Sequence, residues 1–163
     1  MLLNASLYGS LMVTLTVLLH AAGTTLWLKG LQKLSKSHPH LLATTKSHFL
    51  VLTTTALIVV FLHLAEITLW AAAYHAIPEV EVILSWPDAI YFSMVTFTTL
   101  GYGDIVLTGD TRLLTGIQSI NGIILSGWST AMLFMVIETI WKQDFNLTDN
   151  QKNQKNQKSQ KQP

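Results

Sequence analysis

The 163-residue sequence contains no cysteine. Disulfides, thiol nucleophiles and thiolate metal sites are thereby excluded. Charge is scarce as well. Asp, Glu, Lys and Arg make up 12% of the residues, roughly half the share usual in a soluble globular domain. A net charge of +1 leaves no bulk electrostatic case for nucleic acid as a partner. Arginine occurs once, at Arg112, so no arginine-rich voltage-sensing span is expected. The six histidines (20, 38, 40, 48, 63, 75) show no metal-ligand spacing inside any one segment. His38 and His40 flank Pro39 in a lysine-rich stretch and are read as solvated. No nucleophile–base pair stands out, and an enzyme is not expected.

What is abundant is apolar surface: half of the residues are hydrophobic and mean hydropathy is +0.40. Residues 5–28 carry no charge, and the run stops at Lys29. About 20 apolar residues cross a bilayer core, so residues 1–28 are expected to hold a first span. A cleaved signal peptide would want a positive n-region, which this stretch lacks. A second span is expected over residues 49–74, and a third is uncharged from Leu113 to Ile137 within a helix over 111–141. Between them, Ser85 and Asp88 match a capping box and Pro87 suits a first helical turn. The helix so opened, 86–98, is too short to span. A short helix followed by a glycine-rich segment between two spans predicts a re-entrant loop, tolerated at membrane depth only where protein buries it or water lines it. The expected class is therefore an all-α membrane protein.

Lysine placement sets the expected orientation. Lys29, Lys33, Lys36 and Lys46 lie in the loop 29–48, and Lys142, Lys152, Lys155, Lys158 and Lys161 lie after the third span. The loop before residue 99 holds Glu79, Glu81 and Asp88 and no Lys or Arg. The lysine-rich loop and C-terminus are expected in the cytoplasm, the N-terminus and re-entrant loop outside. The tail 142–163 repeats Gln-Lys with almost no apolar residues and is expected to be disordered. Its lysines offer anionic lipid about 1 kcal/mol each near the surface, although a solvated topological anchor is the simpler reading.

The most informative residues are Thr98-Thr99-Leu100-Gly101-Tyr102-Gly103-Asp104. A lone Gly-Tyr-Gly is weak, since turns use such residues freely. Here two threonines precede it, an acid follows it, a capped helix lies upstream and spans flank both sides. The run resembles the selectivity filter of tetrameric potassium channels, and residues 49–141 resemble the small bacterial pore-only members of that family. The resemblance implies a homotetramer, three further copies of the chain completing one pore, because one filter segment builds a quarter of the ring. It implies a K+ filter of Thr99, Leu100, Gly101, Tyr102 and Gly103, in which the carbonyls of the first four and the Thr99 hydroxyl hold the ions, and a bacterial inner membrane as the location. Gly101 and Gly103 suit a strand that turns successive carbonyls toward one axis. Tyr102 is expected to point away from that axis, and Asp104 to sit at the outer mouth. Leu100 stands where Val or Ile is more usual in that family. Val95 lies where some members carry Glu. The resemblance does not cover residues 1–48, so the first span is an additional helix, expected to be peripheral.

On the third span Thr115, Gln118, Ser119, Gly122, Ser126 and Ser129 share one stripe at helical spacing. A water-filled cavity is the preferred reading, with helix packing the alternative, and Gly122 marks a candidate hinge. Gly116 and Gly127 are read as close-packing sites. His63 and Glu66 share a face of the second span, and Asn121 is expected at a depth from which it could hydrogen-bond Glu66. A polar clasp is preferred there over a proton-sensitive gate. His20 has no obvious partner and is placed nearer the cytoplasmic side. Trp27, Trp70, Trp86 and Trp141 are read as an interfacial belt. A non-selective cation channel, the pore subunit of an uptake system and a non-conducting scaffold are the alternative functions.

Overall fold

The computed structural model describes residues 2–37, 44–77, 80 and 85–160, without the side chains of 2–4 and 143–160. His38, His40, Glu79, Glu81 and Lys161 lie outside the described residues. Three long helices and one short one make up the fold. They are α1 (Leu2–Ser37), α2 (Thr45–Ala76), α3 (Trp86–Phe97) and α4 (Arg112–Gln160), with a 3-10 turn at Gly109–Thr111. No strand occurs among the described residues.

The chain is an all-α membrane protein: Ala5–Ser37, Thr45–Ala76 and Gly109–Lys142 are each long and apolar enough to cross a bilayer. Their outward faces carry exposed Leu11, Leu18, Leu26, Phe49, Leu57 and Phe61, which in water would be a liability and in lipid are not. With 12 residues, α3 reaches only about 18 Å and cannot span. Its start follows the sequence reading. Ser85 accepts from the Asp88 amide at 3.3 Å and donates to the Asp88 carboxylate at 2.6 Å, with Pro87 in the first turn.

Helix α3 is cradled between α2 and α4, and α1 packs across both α2 and α4. The aromatic core lies at the α2–α3 contact, where Tyr74 meets Phe92 edge-on at 5.0 Å and Trp70 at 5.9 Å. Trp70 is therefore a core residue and not part of an interfacial belt; it is 1% exposed. Glycines set two close approaches of α1. Gly9 meets Ile117 of α4, and Gly23 meets Leu62 of α2. Gly116 and Gly127 face open space in the single chain instead of packing within it.

Two further expectations change. The tail does not break off at residue 142, since α4 continues to Gln160. Gln and Lys are good helix formers, and a helix already nucleated in the membrane extends without a new nucleation cost. The first helix likewise runs past Lys29 to Ser37. This moves His20 toward mid-span.

Gln118 holds three helices at one point. Its amide donates to Ser93 Oγ at 2.8 Å and to the Ser93 carbonyl at 3.2 Å, and its oxygen accepts from the Tyr74 hydroxyl at 2.8 Å. Ser93 Oγ in turn donates to the Ile67 carbonyl at 2.7 Å. Every group here is buried, and leaving a buried donor unmade costs about 1–3 kcal/mol. Gln118→Leu is expected to lower the thermal midpoint of the purified protein by that order of free energy, and adding Tyr74→Phe to recover part of it. Equal midpoints for wild type and Gln118→Leu would contradict the staple.

Candidate functional site

The segment after α3 departs from every regular backbone. Thr98 ends the helix, and φ is then positive at Thr99 (61°), Gly101 (55°) and Gly103 (80°). Leu100 and Tyr102 between them keep negative φ, and Thr99 is the one non-glycine with positive φ among the described residues. Left-handed backbone at every second residue cancels the usual alternation of a strand, so successive carbonyls turn to one side. Glycine accepts that conformation without cost, whereas Thr99 is strained by about 1–3 kcal/mol. The need at Thr99 is invisible in residue type alone.

The last turn of α3 holds this ribbon in place. The Val95 carbonyl accepts from Leu100 N at 2.9 Å and Gly101 N at 3.3 Å, and the Thr96 carbonyl accepts from Thr99 N at 3.0 Å. Ser119 of α4 also donates to the Thr96 carbonyl, at 3.1 Å. The amides of the ribbon's base are thus satisfied. Its carbonyls are not: among the described residues no hydrogen bond reaches the oxygens of Thr99, Leu100, Gly101 or Tyr102. At membrane depth such oxygens require water or an ion. Behind the ribbon lies a recess of about 300 Å³ bordered by Tyr91, Val95, Thr99, Gly101, Gly103 and Asp104. Val95 is an apolar wall of this recess, and Asp104 is the acid that borders it.

At the far end of the ribbon from α3, the Tyr91 hydroxyl donates to Asp104 at 2.7 Å. That bond, opposed by a smaller desolvation effect, holds the Asp104 carboxyl below its usual range. Tyr91, Leu100, Tyr102 and Val106 are all exposed on the single chain.

A family model described as "Ion channel" matches residues 49–139, more than half of the chain. The chain belongs to this ion channel family. The match begins in α2 and ends in α4, so it takes in the ribbon and leaves α1 of the channel outside. No curated protein and no solved structure matches the channel's chain.

The inner-helix residues divide. Gln118 is fully buried behind α3 and does not face a cavity, because Tyr74 and Ser93 offer it a complete set of partners. Gly122 is buried against the end of α3, where a Cβ would collide with the Phe97 carbonyl. Close approach thus accounts for this glycine where a hinge was expected. Thr115 turns back to the Arg112 carbonyl at 2.8 Å, and Ser126 is exposed.

The intramembrane polar cluster is larger than the sequence suggests, and its members differ. His63 Nδ1 meets Glu66 Oε2 at 2.9 Å, and His20 Nδ1 meets Glu66 Oε1 at 2.7 Å. His20, read as partnerless, is fully buried in this contact because α1 is longer than its apolar run. Asn121 does not reach Glu66. It faces α1 and donates to Thr16 Oγ1 at 2.8 Å. A fully buried acid on α2 was the available hint, since such a group demands a partner from some other span.

Phe at position 91 removes the bond that depresses the Asp104 carboxyl. Tyr91→Phe should therefore raise that group toward its ordinary range and let it lose its charge at a higher pH. Current recorded against external pH should begin its acid-side fall earlier in the variant; superimposable profiles would refute the link.

Proposed function

We propose that the channel is selective for potassium and assembles as a homotetramer. The observation that carries this reading is the ribbon Thr99–Gly103, whose backbone alternation aims carbonyls that no protein group occupies. Rings of such oxygens replace the hydration shell of a monovalent cation, and several rings in file let the ion leave as readily as it enters. The proposed K+ ligands are the carbonyls of Thr99, Leu100, Gly101 and Tyr102 with the Thr99 hydroxyl, and Gly103 ends the filter. Leu100 contributes only its carbonyl, so its departure from Val or Ile leaves the oxygen array unchanged. The C-terminal end of α3 adds about half a negative charge near the inner side of the ribbon, and Asp104 concentrates cations at the outer side.

One chain supplies one wall of such a pore. Leu100, Tyr102 and Val106 are exposed apolar or aromatic groups beside the ribbon, and three neighbouring copies would cover them. Asp104 lies at the outer mouth, and the lysines of α1 and of the α4 extension lie on the cytoplasmic side. On this reading the N-terminus lies outside and the C-terminus inside, with a bacterial inner membrane as the proposed location. The spaced lysines of that extension suit anionic lipid.

In planar bilayers with a potassium gradient, the reversal potential of the purified channel should follow the potassium equilibrium potential and should collapse toward zero conductance when sodium replaces potassium. Gly101→Ala places a Cβ on a left-handed residue and should abolish current while leaving assembly intact by light scattering. Wild-type conductance in that variant, or equal sodium and potassium currents in the parent, would contradict the proposal.

A further inference from the structure

His20, Glu66, His63 and Ser129 close a circuit of hydrogen-bond contacts deep in the membrane. The Nδ1 atoms of His20 and His63 face the two Glu66 oxygens at 2.7 and 2.9 Å. The Nε2 atoms of the same rings both face the Ser129 hydroxyl, at 3.3 and 3.1 Å. The imidazoles lie stacked with centroids 5.5 Å apart. His20 and Glu66 are completely buried and Ser129 is 3% exposed. One member comes from α1, two from α2 and one from α4.

The surroundings add no further charge. Phe97 at the end of α3 packs on His63, and Trp128 of α4 meets His20 edge-on. Among the described residues, the groups brought to Glu66 by ion-pair or hydrogen-bond contact are His20 and His63. Any proton the circuit holds is therefore governed by its own members.

Counting hydrogens decides how many it holds. Four contacts need four hydrogens. A carboxylate brings none, each neutral imidazole brings one and serine brings one. With that complement, one Nε2 faces the serine oxygen with no hydrogen between them, in a place where an unmade hydrogen bond is costly. One additional proton completes the circuit. The same proton makes the cluster electrically neutral, a carboxylate against one imidazolium shared between two rings. Held on the rings, the proton lets each Nδ1 donate to one Glu66 oxygen and pairs the carboxylate with an imidazolium.

We propose that this circuit is a proton-binding site that joins α1 to the conducting module. Its ligand is a single proton beyond the neutral-histidine complement. The same donors converge closely enough to suggest a metal site, with all ligand atoms within 4.8 Å. Yet the nitrogen–oxygen distances of 2.7 and 2.9 Å are hydrogen-bond lengths, whereas ligands of a tetrahedral zinc stand about 3.3 Å apart. The site is sized for a proton. Loss of the proton leaves a buried negative charge and an unmade bond at the α1–α4 contact. Release of that proton at high pH therefore weakens the α1–α4 contact. This inference stands whichever ion the ribbon admits.

The test is solid-state nitrogen magnetic resonance of the full-length channel, labelled at histidine and reconstituted in lipid. Signals are assigned by their loss in His20→Gln and His63→Gln, or by replacing His38, His40, His48 and His75 with Gln if either variant fails to assemble. At pH 7, three of the four ring nitrogens of His20 and His63 should carry hydrogen, falling to two in a single alkaline step. Ser129→Ala keeps the acid and both rings but opens the circuit, and should shift that step down by about one pH unit, a tenfold weaker hold on the proton. Two hydrogen-bearing nitrogens throughout pH 6–9 would overturn the proposal, as would a Ser129→Ala titration that matches wild type.

Discussion

The architecture turns on one contact, between the last carbonyls of α3 and the amides of the ribbon that follows. A backbone that is neither helix nor sheet survives at membrane depth only if its polar groups are met. Val95 and Thr96 meet the amides of Thr99, Leu100 and Gly101. This frees the chain to leave its carbonyls pointing elsewhere. Most of the surrounding structure serves to hold α3 still. The Ser85 cap fixes its start, Ser93 ties its middle to Ile67 and Gln118, and Gly122 lets α4 close on its final carbonyl. Strain at Thr99 is sustained because the bonds on either side of it leave the residue little choice.

Helix α1 lies outside the family match, yet it is joined to the matched region by polar contacts at three levels, two of them buried and one half-buried. Thr16 meets Asn121, His20 meets Glu66 and Ser129, and Trp27 meets Thr55 at 3.1 Å. In lipid the hydrophobic effect does not drive helices together, so such hydrogen bonds and the glycine approaches at Gly9 and Gly23 carry the association. The additional helix is therefore tied to the helices on either side of α3, to α2 through Glu66 and Thr55 and to α4 through Asn121 and Ser129. A change at this seam acts on α2 and α4 together.

What the sequence made legible was local or periodic. Span positions followed from uncharged runs, the α3 start from Ser85-Trp86-Pro87-Asp88, and the irregular ribbon from Gly101 and Gly103 in context. What it hid depended on rotation and depth. Gln118 shares a helical stripe with Ser126, but one is sealed behind α3 and the other is exposed, which no periodicity distinguishes. The charge of Lys29 predicts a helix end that sets His20 too near one membrane face, whereas α1 runs two turns beyond it. Asn121 and Glu66 were matched by depth while facing different neighbours. The tail was judged by its lack of apolar residues, although a helix already formed propagates through Gln and Lys.

The central claim is that the carbonyl oxygens of residues 99–102 serve as the ligands of dehydrated monovalent cations. Anomalous diffraction from crystals of the full-length channel grown in a thallium salt, thallium standing in for potassium, addresses it most directly. The account predicts a file of anomalous peaks on a fourfold axis, each ringed by oxygens of Thr99, Leu100, Gly101 or Tyr102. Crystals without such peaks beside these residues, or without any fourfold arrangement of the chains, would contradict it.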